Sequence, residues 1–461
     1  MNRYKSLFTD TILIGVGNFT THLIYFFLMP IYTLSMSAEE FGLADLLSNF
    51  ASLLLPFLTL SISEGVFRFV LDKNEDPNEL LTSGLKIIGL CAIILMSALT
   101  ITYYVTHKSY WAYFFFYFIS EALKGLLAQF SRGVGNVRDF SLSGIIAAVL
   151  LFVSTYILVK QYRLGVEGYL FAFIIANTVA IIYLCLSVRA IRKFVWSYSA
   201  TKQKEMLLYS LPLIPNTLFW WATNISSRYI LAYQCGMALA GFFAATSKLP
   251  ALINIVTSVF QQSWQISSVK QLEADDHIRF YSRVFSMYFS AVAITGAIIL
   301  LLVPYISMFV LQGDFYQAWI YTPLLLFSAM LGCLSVYFGT FYTVAKKSKS
   351  VMTTTMFGAV ANIVFCFALI PIWGIYGALI GSVLSYAIIV LVRYLDTQRF
   401  MPIEINKIIV LTSLGLLLIE SIGMTIDTYY TRLISLSVAL AILIINSISL
   451  YSLYQLAKKK T

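Results

Sequence analysis

The sequence predicts an all-α integral membrane protein of about fourteen transmembrane helices, arranged as two pseudo-symmetric six-helix bundles plus two terminal helices. Two observations predict this fold class: the composition is too apolar for water, and one segment of the chain occurs twice. Of 461 residues, 59% are hydrophobic and only 11% are charged, whereas soluble domains carry about 25% charged residues. Because such a chain cannot bury its apolar surface by folding on itself, the bilayer is predicted to be its solvent.

The individual spans follow from the helix length that crosses the hydrocarbon layer, which is about 20 apolar residues. Charged and polar breaks separate fourteen candidates: residues 11–33, 41–66, 82–106, 110–132, 139–160, 167–189, 206–232, 238–264, 281–311, 318–344, 350–371, 374–395, 404–424 and 431–456. The stretch from Thr11 is too long for a signal peptide and lacks a small-residue cleavage site, so it is predicted to be the first span.

Lysine and arginine predict the orientation of these spans, because they favour cytoplasmic connections. The chain ends and every second connection carry most of them: Arg3, Lys5, Arg68, Lys73, Arg132, Arg138, Arg189, Arg192, Lys193, Lys202, Lys204, Lys270, Arg279, Arg283, Lys346, Lys347, Lys349, Arg393, Arg399, Lys407, Lys458, Lys459 and Lys460. Both termini are therefore predicted to be cytoplasmic. The net charge of +10 is assigned to contacts with anionic lipid headgroups, so no nucleic-acid partner is needed to explain it.

A duplicated segment divides the chain. Residues 165–184 read GVEGYLFAFIIANTVAIIYL, and residues 374–392 read GIYGALIGSVLSYAIIVLV. The chain is therefore predicted to contain two copies of six spans, in residues 1–200 and 201–400, followed by spans 13 and 14 in residues 401–461. Since six is even, both copies enter the membrane the same way up, with a cavity between them. Such duplication is typical of alternating-access transporters.

Prolines mark the first two spans of each copy. Pro30 and Pro56 lie in spans 1 and 2, and Pro212, Pro215 and Pro250 lie in spans 7 and 8. Because proline cannot donate the intrahelical hydrogen bond, each of these helices is predicted to bend. The bends are interpreted as hinges or as shaping the cavity, although proline is also common in ordinary membrane helices.

Three segments carry a family resemblance: 207–221 (LLYSLPLIPNTLFWW), 37–47 (SAEEFGLADLL) and 371–378 (PIWGIYGA). They resemble the polysaccharide flippases of the multidrug/oligosaccharidyl-lipid/polysaccharide exporter superfamily. The resemblance implies a V-shaped fold of two bundles, with spans 1, 2, 7 and 8 lining a central cavity. It also implies that an undecaprenyl-pyrophosphate-linked oligosaccharide is moved across a bacterial cytoplasmic membrane for surface polysaccharides such as O antigen or capsule. Membrane lipids and a polysaccharide polymerase complex are the implied partners.

The implied cargo has an anionic head and a polar glycan, so its cavity should be wet and cationic. Arg228 in span 7 and Lys248 in span 8 are the strongest candidates for binding it, because arginine grips phosphate in a fork and lysine acts as a point charge. The other candidate substrate contacts are Lys124, Asn216 and Asn224. As alternatives, Arg228 extends towards interfacial water or pairs with Asp45, and the amides bond between helices.

Several ionisable residues are candidates for gating or ion coupling, and they are Asp45, Glu64, Arg68, Glu121 and His22. The i,i+4 spacing of Glu64 and Arg68 predicts an ion pair, and the i,i+3 spacing of Glu121 and Lys124 predicts another. His22 titrates near physiological pH and is a candidate protonation switch, or else a neutral, hydrogen-bonded histidine. The sequence leaves open whether the coupling ion is a proton, sodium or none.

Signatures of enzymes and cofactor sites are missing from the sequence. There is no GxxxxGK[ST] motif, and neither the three histidines nor the five cysteines have metal-ligand spacing. We therefore expect no catalytic residue, metal or cofactor. The competing interpretations are a drug or cation antiporter of the same superfamily, a flippase for a peptidoglycan precursor, and a membrane glycan polymerase or glycosyltransferase. Cavity carboxylates would favour the antiporter, and a large outer loop would favour the enzymes.

Overall fold

The computed structural model describes residues 20–21, 23–72, 75–253, 257, 260–261, 264, 268, 277–345, 347–426 and 428–458. All regular elements in this part of the chain are helices. The α-helices are α1 (Leu23–Ser35), α2 (Ala38–Leu58), α3 (Ile62–Val70), α4 (Pro77–Thr106), α5 (Tyr110–Gly133), α6 (Val137–Thr155), α7 (Gly165–Ser187), α8 (Arg189–Arg192), α9 (Ala200–Ser210), α10 (Ile214–Cys235), α11 (Met237–Thr246), α12 (His277–Val310), α13 (Thr322–Val344), α14 (Ser348–Trp373), α15 (Ile375–Thr397), α16 (Lys407–Ile426) and α17 (Tyr429–Lys458). A π-helix continues α6 (Tyr156–Gln161), and 3-10 helices precede α10 (Leu211–Leu213) and α13 (Gly313–Tyr321).

Ten helical stretches in the described residues are long and apolar enough to cross a membrane. They comprise α2, α4, α6, α7 and the six helices from α12 to α17. Two apolar stretches are shorter, Leu23–Ser35 and Met237–Ile253, of which the second comprises α11 and the turn after it. By contrast, α5 and α10 have the length of a span and a more polar composition. The predicted class, a multi-pass all-α membrane protein, is confirmed, and the ten long apolar stretches and the shorter helices among the described residues approximate the predicted count of fourteen spans.

The chain forms two compact units, unit 1 (Met1–Leu218) and unit 2 (Phe219–Thr461). In unit 1, α7 packs against α5 and α6, and α5 also packs against α3 and α4. In unit 2, α15 packs against α13 and α14. The terminal pair α16–α17 also belongs to unit 2, where both helices pack against α12 and α16 additionally packs against α13. The predicted division of the chain at residues 200 and 400 stays a prediction.

Span 2 is two helices, α2 and α3, separated by a break shortly after Pro56. Leu60 and Ser61 have φ angles of 54° and 50°, in the left-handed region that residues with a side chain seldom adopt. Ser210 holds the break, because its hydroxyl donates a hydrogen bond of 2.9 Å to the Leu60 carbonyl. The bend that the sequence predicts is therefore a complete interruption of the helix, and it is stabilised by the segment leading into α10.

Two glycines at the start of the duplicated segment explain why its sequence recurs. Gly165 and Gly374 have φ angles of 52° and 56°, so each turns the chain back where a side chain would be strained. The second glycine of each copy lies close to the preceding helix. A Cβ on Gly377 would lie 2.4 Å from the backbone carbonyl of Leu369, and one on Gly168 would lie 3.3 Å from a backbone carbonyl oxygen. The motif GxxG thus encodes a tight helical hairpin in each unit.

The segment that joins the two copies is tied to unit 1 through Lys202 on α9. Its ammonium donates hydrogen bonds to Glu75 at 2.8 Å and to Glu205 at 3.1 Å. These two bonds raise the pKa of Lys202. Because exposed ion pairs contribute little free energy, this pair serves mainly to position α9, which also packs against α3 and α4.

The hairpin glycines lead to a prediction about stability. Gly377→Ala should lower the melting temperature of the purified protein, because the added methyl group overlaps the Leu369 backbone. Gly89→Ala is the matched control: Gly89 also lies in an apolar helix, but a Cβ there meets no atom within 4 Å. Alanine should be neutral or slightly stabilising at Gly89. Equal melting temperatures for the two variants would contradict the close approach.

Candidate functional site

The two cations favoured by the sequence both lie in unit 2, and Arg228 bonds to the residue next to Lys248. Arg228 lies on α10, and its guanidinium donates a hydrogen bond of 2.7 Å to the hydroxyl of Ser247. Ser247 caps the C-terminus of α11 and directly precedes Lys248. Both cations are half-buried. They therefore lie beside the end of a helix dipole that carries partial negative charge, where positive side chains are favoured.

The sequence predicts Lys248 to lie within the helix of span 8, but the structure places it in a turn. α11 ends at Thr246, and residues 247–250 form the turn up to Pro250. The physical reason is the proline, which cannot donate a helical hydrogen bond to the carbonyl four residues earlier. The turn gives Lys248 a local backbone that differs from the helix around Arg228, so the two cations are presented from different elements.

The predicted amides lie on the same helix as Arg228. Asn224 is one helical turn before Arg228 and is exposed; its amide donates to the Trp220 carbonyl at 2.7 Å and accepts from the Tyr386 hydroxyl at 2.5 Å. Residues spaced i,i+4 share a helix face, so Asn224 and Arg228 form one polar stripe of α10. Asn216 is also on α10, but its side chain lies outside the described residues.

A buried polar network that the sequence analysis missed anchors α10 behind this stripe. Asn362 on α14 is fully buried and donates to Ser226 and Ser227 of α10 at 2.9 and 3.0 Å. Ser385 on α15 donates to the Asn362 amide oxygen at 3.3 Å. An asparagine inside an apolar span is the signal that would have indicated this network. It joins three helices and thereby orients the helix that carries Arg228.

Arg393 corrects the sequence analysis, which places it in a cytoplasmic connection. Only 2% of it is exposed, because it lies inside α15 on the side that packs against α13 and α14. Its guanidinium donates to Ser335 on α13 at 2.8 and 3.1 Å. It also donates to Thr354 and Thr355 on α14 at 3.1 and 2.9 Å. These partners are neutral, so the hydrogen bonds solvate the cation without cancelling its charge.

Lys124 belongs to a closed triad in unit 1. It forms the ion pair with Glu121 that their spacing predicts, with 3.1 Å between the ammonium and a carboxylate oxygen. Asn177 of α7, which is buried, completes the triad by accepting from Lys124 at 2.9 Å and donating to Glu121 at 2.9 Å. The triad joins α5 to α7 and largely neutralises Lys124. The sequence analysis missed Asn177, although it lies inside the duplicated segment; a role for Lys124 in binding substrate stays a prediction.

The remaining candidates are placed separately. Asp45 is 1% exposed and accepts a hydrogen bond of 2.8 Å from Asn49. Glu64 accepts a hydrogen bond of 3.2 Å from Gln129. Glu64 and Arg68 are both among the described residues, and they do not form the predicted ion pair. Glu64 bonds to Gln129 of α5 instead, and each charge complements the helix dipole, with Glu64 in the first turn of α3 and Arg68 in the last. His22 lies outside the described residues.

Metal binding has no evident site in the described part of the chain. No three of its histidine, cysteine, aspartate and glutamate side chains lie close enough together to hold a metal ion. The cations, amides and hydroxyls around Arg228 are groups that bind anions and sugars by charge and hydrogen bonding.

The fold and these buried polar groups define a multi-pass, all-α membrane protein. The chain belongs to the polysaccharide biosynthesis protein family, whose sequence model matches residues 7–264. No curated protein matches the chain. The family match confirms the family resemblance found in the sequence.

Solved structures share the fold. An inward-facing multidrug resistance MATE family transporter of the MOP superfamily matches with a TM-score of 0.65 and 15% identity, over 83% of this chain and 94% of that chain. An outward-facing one matches with a TM-score of 0.61 and 15% identity, over 86% and 96%. The lipid II flippase MurJ, in an inward closed conformation, matches with a TM-score of 0.66 and 13% identity, over 96% and 99%. At such identities, the similarity is one of fold.

The triad gives a testable prediction. Asn177→Leu should lower the free energy of unfolding by about 2 kcal/mol, because two hydrogen bonds to charged groups are lost in a buried position. Thermal unfolding of the purified protein measures the effect. Thr178→Ala is the matched control, since Thr178 is the adjacent residue of α7 and is exposed. A variant as stable as this control would show that the triad does not hold α5 against α7.

Proposed function

We propose that the protein is a flippase for an undecaprenyl-pyrophosphate-linked oligosaccharide, which it moves across a bacterial cytoplasmic membrane by alternating access through a cationic central cavity. The family match supports a role in polysaccharide biosynthesis, and the fold is one that carries transport in its solved relatives. The observation that carries the proposal is the hydrogen bond from Arg228 to Ser247, beside Lys248.

The chemistry of the cargo matches this pair of cations. A pyrophosphate group cannot enter hydrocarbon unless its charge and its oxygen lone pairs are satisfied. Arg228 supplies a planar set of donors and Lys248 supplies a point charge from a separate element. The exposed amide of Asn224 lies one turn away, where it suits sugar hydroxyls. The isoprenoid tail stays in the lipid, so only the head needs the polar route.

The orientation and the partners are part of the same proposal. Lysine and arginine are concentrated in alternate connections, which supports a cytoplasmic location for both termini. The lipid-linked unit would then be taken up on the cytoplasmic side and released to a polysaccharide polymerase on the other. No hydrolysis of ATP is assigned to this chain.

A drug or cation antiporter is the second candidate, and the specific observation that favours it is the TM-score of 0.65 to a multidrug transporter. The charges oppose it. A cationic drug would be repelled by half-buried Arg228 and Lys248, whereas an anionic head is attracted. The two candidates therefore predict opposite outcomes when these cations are removed or when the gene is deleted.

Removing the cations tests the proposed site. Arg228→Ala and Lys248→Ala should each weaken binding of the pyrophosphate head by about tenfold or more, so that surface polysaccharide falls while the protein level in the membrane stays normal. Arg228→Lys should be intermediate, because it keeps the charge and loses the fork. Arg279→Ala, which removes an exposed cation of unit 2, is the control. Normal output from both alanine variants would remove these residues from the site.

Deleting the gene tests the function itself. Lipid-linked oligosaccharide should accumulate and stay inaccessible to a membrane-impermeant lectin added to spheroplasts, because its head remains on the cytoplasmic side. Surface polysaccharide should be lost and then restored by the wild-type gene. If deletion instead changes drug susceptibility and leaves surface polysaccharide intact, the antiporter replaces the flippase.

A further inference from the structure

Glu420 is an ionisable residue that the proposed mechanism does not use. It lies on α16, in the terminal helix pair outside the duplicated spans. Along the helix axis it is about 9 Å from Ile426, the last residue of α16. The protein alone encloses it completely, and none of its surface is exposed. Neither of its carboxyl oxygens has a hydrogen-bond partner among the described residues. Isolated carboxyl groups of this kind are rare inside membrane proteins and usually functional.

The surroundings of Glu420 are built by close helix packing. α16 packs against α17, α12 and α13. One turn further along α16, a Cβ on Gly423 would lie 3.3 Å from the hydroxyl of Ser435 on α17, so the two helices nearly touch on this face. The hydroxyl of Ser435 is itself buried, and it also has no hydrogen-bond partner among the described residues. The interface thus encloses polar groups and offers Glu420 no compensation.

The elements around Glu420 bring no charge to it. Arg432 on α17 and Asp314 on the 3-10 helix before α13 are both exposed. The charged residues of α12 lie at the end of that helix far from Glu420. That end packs beside the residues that precede α16, where the backbone amide of Glu404 donates a hydrogen bond to Ser282 of α12. The tyrosines of the packed elements, with Tyr305 exposed on α12 and Tyr337 buried on α13, donate no hydrogen bond to Glu420.

The energetic consequence is that the enclosed carboxyl is neutral. An ionised carboxylate without a partner is strongly disfavoured in such a site, whereas the acid form carries no net charge. Release of the proton therefore requires water to reach the carboxylate, which means that α16 and α17 must separate from their neighbours. Protonation of Glu420 and the position of the terminal pair are therefore linked. The packed position favours the protonated carboxyl, and protonation favours the packed position.

We propose that Glu420 is a proton-binding site in the terminal helix pair and that uptake and release of its proton couple the proton gradient to the transport cycle. The ligand is a proton and not a metal cation, since a metal needs several oxygen ligands and the described residues bring no group of three ionisable ligands together. The coupling step rests on the proposed function, but proton binding does not.

Infrared spectroscopy of the full chain in lipid vesicles tests the proton site. The wild-type protein at neutral pH should show the carbonyl stretching band of a protonated carboxylic acid, and Glu420→Gln should lose it. Glu404→Gln, which alters an exposed glutamate of the same unit, should keep it. If Glu420→Gln does not reach the membrane, Glu420→Met takes its place. A band that is absent from the wild type or retained in the Glu420 variant overturns the proton site.

Complementation of a deletion strain tests the coupling. Cells carrying the wild-type protein should lose surface polysaccharide output when a protonophore collapses the gradient. Cells carrying Glu420→Gln should give an output that no longer depends on the gradient. If the infrared band is lost and the gradient dependence is unchanged, the carboxyl is structural and the coupling is wrong. If deletion leaves the polysaccharide intact, the proposed function fails while the infrared result still decides the proton site.

Discussion

The constraint on which this structure depends is that polar groups in the hydrocarbon region must find partners within the protein, because no water is available there. It explains why every described element is helical and why spans are joined by short turns such as that at Gly374. It also explains the buried networks. Asn362 joins three helices of unit 2, and Asn177 joins two helices of unit 1, each through bonds that lipid would not replace.

The two units meet this constraint in different ways. In unit 1, Lys124 and Glu121 form an ion pair, so the charges cancel and the triad is chiefly structural. In unit 2, the described bonds of Arg393 go to hydroxyl and carbonyl groups, which solvate the charge and leave its field in place. A buried cation of this kind raises the positive potential of unit 2, where Arg228 is also found, and this matches the anionic head of the proposed cargo.

Particular residues show how far sequence reasoning reaches. The repeated GxxG at Gly165 and Gly374 reports a backbone requirement, and its two copies indicate the same hairpin because the positive φ of its first residue favours glycine. The i,i+3 pair of Glu121 and Lys124 follows from helix geometry alone. By contrast, local sequence places Arg393 wrongly in a connection. The groups that bury it come from α13 and α14, which are 38 to 58 residues away in sequence.

Apolar composition and the lengths of the apolar stretches by themselves determined the class of protein and the approximate places of its spans, because the hydrocarbon layer imposes one length and one kind of backbone on any chain that crosses it. The tertiary structure alone decided which polar residues meet: that Arg228 reaches the turn before Lys248, that Asn177 closes a triad, and that Glu420 is enclosed without a partner. Those outcomes depend on the rotation of each helix relative to its neighbours, which long-range packing sets and local sequence does not.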